Sequence, residues 1–173
     1  GLIFLLAIII LGALDIGAKS INILDVFNRA QPLDITILIK YRLPRILLAL
    51  FVGMGLASAG GAYQSLLRNP LADPYILGVS GGAALGSVLA VGLNLPFIFV
   101  SIIAFMFAFL AMILIFAIAK TKGRLPVYTL LLTGVIFNAF CFALILFINS
   151  LVTMEQAYQI IFLLIGNLET VSY

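Results

Sequence analysis

Histidine and tryptophan are absent from this chain, and cysteine occurs once, as Cys141. Without His, and with one thiol, the chain alone can build no zinc site, disulfide framework or Cys/His nucleophile pair. Charge is almost as scarce: nine Lys and Arg and six Asp and Glu make up 9% of the 173 residues, against roughly a quarter in soluble domains. So few charges cannot screen a 65% hydrophobic composition from water, which excludes a soluble enzyme first. The basic residues lie scattered among apolar runs and form no basic face, so the net charge of +3 and pI of 9.2 do not point to nucleic acid.

What fills the chain is hydrophobic run, with a mean hydropathy of +1.32. Crossing about 30 Å of hydrocarbon takes about 20 helical residues, and the runs predict an all-α, polytopic membrane protein with five spans, about 1–14, 46–67, 75–95, 96–119 and 125–149. The first is short and shows neither a basic leader region nor a cleavage site, so it reads as a truncated span rather than a signal peptide. Gln156 to Leu168 is too short to cross, ends at Gly166-Asn167, and is expected to lie at an interface or re-enter. Residues 15–41, with Pro32 as a breaker, read as an extramembrane loop with short amphipathic pieces. Both ends of the chain look cut, and the whole reads as one transmembrane domain from a longer protein.

Orientation is not decided by counting charges. Lys19, Arg29, Lys40, Arg42 and Arg45 fall on one side, and Arg68, Lys120, Lys122 and Arg124 on the other, a near tie under the positive-inside rule. The compact turn from Lys120 to Arg124, with no acidic neighbour, is the more typical cytoplasmic loop.

Small residues recur every four positions in two spans. Gly78, Gly82, Gly86 and Ala90 share one helix face, as do Gly53, Ala57 and Gly61, and such rows let another backbone approach closely. A nucleotide loop is not the explanation, because no strand precedes these glycines and no Lys-Ser or Lys-Thr follows. In Asn69-Pro70-Leu71-Ala72-Asp73-Pro74 each proline disfavours helix in its predecessor, and Asp73 is placed to cap a helix whose first turn accepts Pro74. Tyr41-Arg42-Leu43-Pro44-Arg45 sets two guanidinium groups at a span mouth, where they either snorkel to the interface or fork onto carboxylates of a docking partner. On the fifth span Gly134, Asn138 and Cys141 lie on one face as a polar notch, open to two readings: hydrogen bonding between helices by Asn138, or the lining of a solute path. No Asp, Glu, Lys or Arg lies inside spans two to five, where an ion-coupled carrier usually keeps such groups, so the energy for transport is expected elsewhere.

Three of these elements, in order, carry a resemblance: the run from Tyr41 to Gly53, the run from Ala59 through Asn69-Pro70-Leu71-Ala72-Asp73-Pro74, and Leu77-Gly78-Val79-Ser80-Gly81-Gly82-Ala83. Together they closely resemble the FecCD-type permeases, the membrane subunits of ABC importers for iron-siderophores, haem and cobalamin. A weaker likeness extends through Leu130-Leu131-Leu132-Thr133-Gly134-Val135 to Gly166-Asn167-Leu168. The resemblance implies a fold of about ten spans, of which this chain is the amino-terminal half, in a bacterial or archaeal cytoplasmic membrane. It implies a homodimer with a second permease copy, two cytoplasmic ATPase subunits that hold ATP and Mg, and a periplasmic or lipid-anchored substrate-binding protein. No cofactor and no catalytic residue is expected in this chain. Under the same resemblance Arg42 and Arg45 match the arginines that pair with glutamates of the binding protein, the loop before them lies outside, and Lys120 to Arg124 lies in the cytoplasm. The fifth span and Gln156 to Leu168 would then border the path and its outer gate. An ion-coupled secondary transporter or channel is the rival class, and a membrane-embedded enzyme comes third.

Overall fold

The computed structural model describes residues 1–16, 32–70, 72–120, 123 and 125–166, and every element among them is helical. Helix α1 spans Leu2–Asp15, α2 Pro32–Ile37, α3 Leu43–Leu67, α4 Val79–Gly92, α5 Phe97–Ala119, α6 Val127–Leu151 and α7 Met154–Ile165. A π-turn, Leu38–Arg42, joins α2 to α3, and a 3₁₀ turn, Pro74–Leu77, precedes α4. Most of the loop from residue 15 to 41, two of the basic residues at 120–124, and Asn167-Leu168 lie outside the described residues. The chain divides into two compact units, Gly1–Ala57 and Ser58–Asn167.

Within the first unit the helix begins earlier than the hydrophobic run suggests. Residues 34–41 are helical and not loop, and Asp34–Leu67 forms 34 residues of helix, long and apolar enough to cross a membrane. Pro44 explains the irregular stretch. It has no N–H to give the carbonyl four residues back, and the preceding turn widens so that the Leu43 N–H reaches the Leu38 carbonyl. Pro44 thus sits just after a wide turn of an existing helix rather than at its start.

In the second unit α4 is the hub, packed against α5, α6 and α7. Its glycine row faces α5. A Cβ at Gly82 would stand 2.5 Å from the Ala111 Cβ and 2.9 Å from the Phe107 carbonyl oxygen, and one at Gly86 would stand 2.7 Å from the Phe107 Cβ. Ala90, one turn on, is fully buried. Hydrocarbon offers no hydrophobic drive for helices to associate, so close van der Waals approach of this kind must hold them. Leu85, Val88, Ala90 and Val91 form one core with Val100, Cys141, Ile145 and Ile160, and Leu77, Ile115, Ala119 and Leu130 form a second. The far side of α5, with Phe105, Met106, Phe109 and Ile113 exposed, is as apolar as its packed side, as a lipid-facing surface requires.

One expectation is corrected. The third span is not one helix over 75–95, because Gly78 breaks it in the left-handed conformation (φ 81°) and leaves α4 with 14 residues, about 21 Å at ~1.5 Å each. Among the described residues three helices are long and apolar enough to cross: Asp34–Leu67, Phe97–Ala119 and Val127–Leu151. Gly53, Ala57 and Gly61 are exposed, and a Cβ at Gly53 or Gly61 would meet nothing within 4 Å.

Gly86→Ala forces a methyl into the Phe107 contact and lowers stability by about 1–3 kcal/mol. Gly61→Ala, with open space and better helix propensity, leaves it unchanged or raises it by up to about 1 kcal/mol. Thermal unfolding in detergent separates the two, and equal effects would contradict the packing described.

Candidate functional site

The break before α4 is built by a run of prolines, caps and a glycine. Asp73, ahead of Pro74, is extended, and the Tyr75 N–H donates to Asp73 Oδ1 at 2.8 Å, capping the 3₁₀ turn with Pro74 in its first position. Asn69 begins a tight reversal in which the Ala72 N–H reaches its carbonyl at 3.1 Å, while Gln64 Nε2 from α3 donates to the Pro70 carbonyl at 3.1 Å. Gly78 then ends the turn. A Cβ there would be strained by its φ and would lie 2.8 Å from Ile115 Cδ1 and 2.9 Å from the Gly134 carbonyl oxygen.

A break before a helix leaves backbone groups without helical partners. Gly78, the N-cap of α4, has no side chain to help. Asn138, from α6, supplies what is missing: its Oδ1 accepts from the Gly81 N–H at 3.1 Å, and its Nδ2 donates to the Tyr75 carbonyl at 2.9 Å. One amide therefore bridges both sides of the break. Gly81 must be glycine here, since a Cβ would collide with Asn138 Oδ1.

One turn before Asn138, Gly134 lets the 3₁₀ turn rest directly on α6, where a Cβ would stand 2.5 Å from the Ile76 carbonyl oxygen. One turn after it, Cys141 is fully buried in the core shared with α4. The notch faces the broken helix: Gly134 and Cys141 are buried, and Asn138, half-buried, hydrogen-bonds between helices.

The two arginines are placed differently. Arg42 Nη1 donates to the carbonyls of Leu14 and Asp15, at the end of α1, where a helix has unpaired carbonyls and favours a cation. Arg45 is exposed. Fork-to-carboxylate docking is thus geometrically open for Arg45, while Arg42 already holds backbone.

Gln156 was legible only as the start of a weak apolar segment. It is one of two buried polar side chains among the described residues, and its Nε2 reaches the carbonyls of Val91 and Gly92 and Asn94 Oδ1. The signal that could have found it is Thr153-Met154-Glu155-Gln156, the capping-box spacing, which the structure forms in full. Among the described residues no group of three or more Asp, Glu, Cys or His side chains could hold a metal ion.

Short helices docked on long apolar ones, with a glycine-broken helix at the centre, define a helical, multi-pass membrane protein. Residues 4–173 match the FecCD transport family, and the chain belongs to it. It is 43% identical over 144 residues to YvrB of Bacillus subtilis strain 168, described as an uncharacterized ABC transporter permease protein, covering 79% of this chain and 40% of that one. Against the molybdate import system permease protein MolB of Haemophilus influenzae it is 35% identical over 182 residues, covering 98% of this chain and 53% of the other. The solved structure of an ABC transporter in an inward-facing conformation, assigned to the metal-chelate type, superposes on 97% of this chain and 51% of its own, with a TM-score of 0.80 and 32% identity. The chain spans about half the length of these relatives.

Asn138→Leu removes both bonds across the break and costs about 1–3 kcal/mol, chiefly because the Gly81 N–H loses its side-chain acceptor. Hydrogen exchange should show the Gly81 amide losing protection while amides in the middle of α5 keep theirs. Unchanged protection at Gly81 would rule the brace out.

Proposed function

We propose that this chain is part of the membrane-spanning subunit of a binding-protein-dependent ABC importer in the cytoplasmic membrane. The observation that carries the reading is the superposition of nearly the whole chain on an inward-facing transporter at 32% identity, joined to membership of a transport family. The whole permease pairs with a second copy, and the solute crosses between them. ATP and Mg are bound and hydrolysed by two cytoplasmic partner subunits, so this chain is not itself an enzyme. Their cycle biases the helical bundle between outward and inward openings. The absence of charged residues inside α4, α5 and α6 supports an external energy source over coupling to an ion gradient.

The solute is a metal chelate, the class assigned to the superposed transporter, with ferric siderophore, haem and cobalamin as candidates and molybdate, named for MolB, as the oxyanion alternative. Full-length permease, its ATPase and its binding protein, reconstituted in liposomes and offered each of these in turn, is the decisive test. Uptake that requires both ATP and the binding protein is expected for one of them. Uptake driven by an imposed ion gradient without ATP would replace this reading with a secondary carrier.

Arg45 is the docking candidate whose guanidinium is exposed. Arg45→Glu should weaken binding-protein affinity about tenfold or more, as reversal of an interfacial charge does, while insertion is unchanged. Arg42→Glu, which also releases the end of α1, should lower stability as well. Unchanged docking by the double variant in the full complex would remove both from the interface.

A further inference from the structure

Helix α7 has an unusual positional problem. Twelve residues reach about 18 Å at ~1.5 Å each, too short to cross the hydrocarbon, so crossing does not set its depth. From Ile160 to Ile165 every residue is apolar, so over this half hydrophobicity does not select which side packs. Ile160 is buried and Leu163 touches the core, while Ile161, Phe162 and Ile165 are exposed. In water the buried side would be chosen by its greasiness. In a bilayer either side of this half is equally at home, and packing alone distinguishes them weakly; the polar groups that do distinguish sides all lie in the first half, where Glu155 and Gln159 are exposed and Gln156 is buried.

The amide of Gln156 breaks this degeneracy. Its Oε1 accepts from the backbone N–H of Thr153 at 3.0 Å and from the Thr153 hydroxyl at 3.2 Å, closing the first turn of α7. Its Nε2 points the other way, to the carbonyls of Val91 and Gly92 at 3.2 and 3.3 Å and to Asn94 Oδ1 at 3.0 Å. Those carbonyls belong to the last turn of α4; that of Val91 also accepts from the Asn94 N–H at 2.9 Å, and Gln156 adds a side-chain donor to it and to the Gly92 carbonyl. One side chain thus satisfies the start of one helix and the end of another. Asn94 is held in the left-handed conformation (φ 54°), which turns the chain beside the amide.

We propose that Gln156 is the positioning residue of α7: its amide fixes the rotation and depth of this helix against the end of α4, and transport depends on that seating. The second clause rests on the importer reading above. Rotating α7 by one residue would pull the amide from all three acceptors and leave its own buried N–H donors and the Gly92 carbonyl without these bonds, so the seating is discrete rather than graded.

The test uses full-length permease in lipid nanodiscs, with spin labels at Leu93 and Tyr158, both exposed. The parent should give one narrow distance. Gln156→Leu, similar in size and compatible with hydrocarbon, should broaden it or add a displaced population, and Gln156→Glu, which replaces the donors by a carboxylate facing three oxygens, should do the same. A narrow, unshifted distance in both Gln156 variants would overturn the clasp, as would a broad one in the parent. With the ATPase and binding protein added, Gln156→Leu should lower solute imported per ATP hydrolysed several-fold. Uptake and hydrolysis falling in proportion would mean lost protein and overturn the positioning role. Failure of the parent to import with ATP would sink the importer reading instead, and the distances would still decide the clasp.

Discussion

Every backbone N–H and carbonyl inside hydrocarbon has to find its partner within the protein, since water is not there to substitute. A chain made only of long regular helices meets that demand automatically. This one does not, because Gly78 interrupts a helix and α4 and α7 begin and end beside other helices. The rest of the second unit follows from how those loose ends are closed. Asn138 serves the break at Gly78, and Gln156 serves the end of α4 together with the start of α7. Both are neutral amides, which carry donor and acceptor on one group and so can face a carbonyl and an N–H at once without bringing charge into the bilayer.

Close packing supplies the second half of the design. Where the amides fix register, Gly82, Gly86 and Gly134 let backbones come near enough for dispersion forces to act over many atoms. The glycine at 134 and the amide at 138 are one turn apart on α6 and receive the same broken segment, one by its lack of a side chain and the other by its bonds.

Much of this was legible in the sequence. Runs of uncharged residues located α1, α3, α5 and α6 to within a few residues, and Asp73-Pro74 marked a capped start at the right place. Misreadings arose where a hydrophobic run contains no punctuation that hydropathy can weigh. Gly78 sits in a row of glycines whose spacing suits an unbroken helix, and only tertiary contact with Ile115 and Gly134 shows it in a left-handed turn. Residues 34–41 look polar enough for a loop, yet they continue a helix, because Lys40 and Arg42 come in its final turns before the membrane run. The notch at Gly134, Asn138 and Cys141 was correctly grouped on one face, but one sequence does not say which neighbour that face meets.

The π-turn at Leu38–Arg42 bears on how such chains can vary. A widened turn holds one residue more than a regular helix needs, whereas inside a regular helix each added residue turns the downstream face by about 100°. Loss of a single residue at this point would let the helix close into ordinary geometry, keeping both flanking segments helical and their faces close to their present alignment. Length differences of one residue between relatives are therefore structurally quiet here. Three turns later, inside α3, the same deletion would rotate half a membrane-crossing helix out of register with the other half.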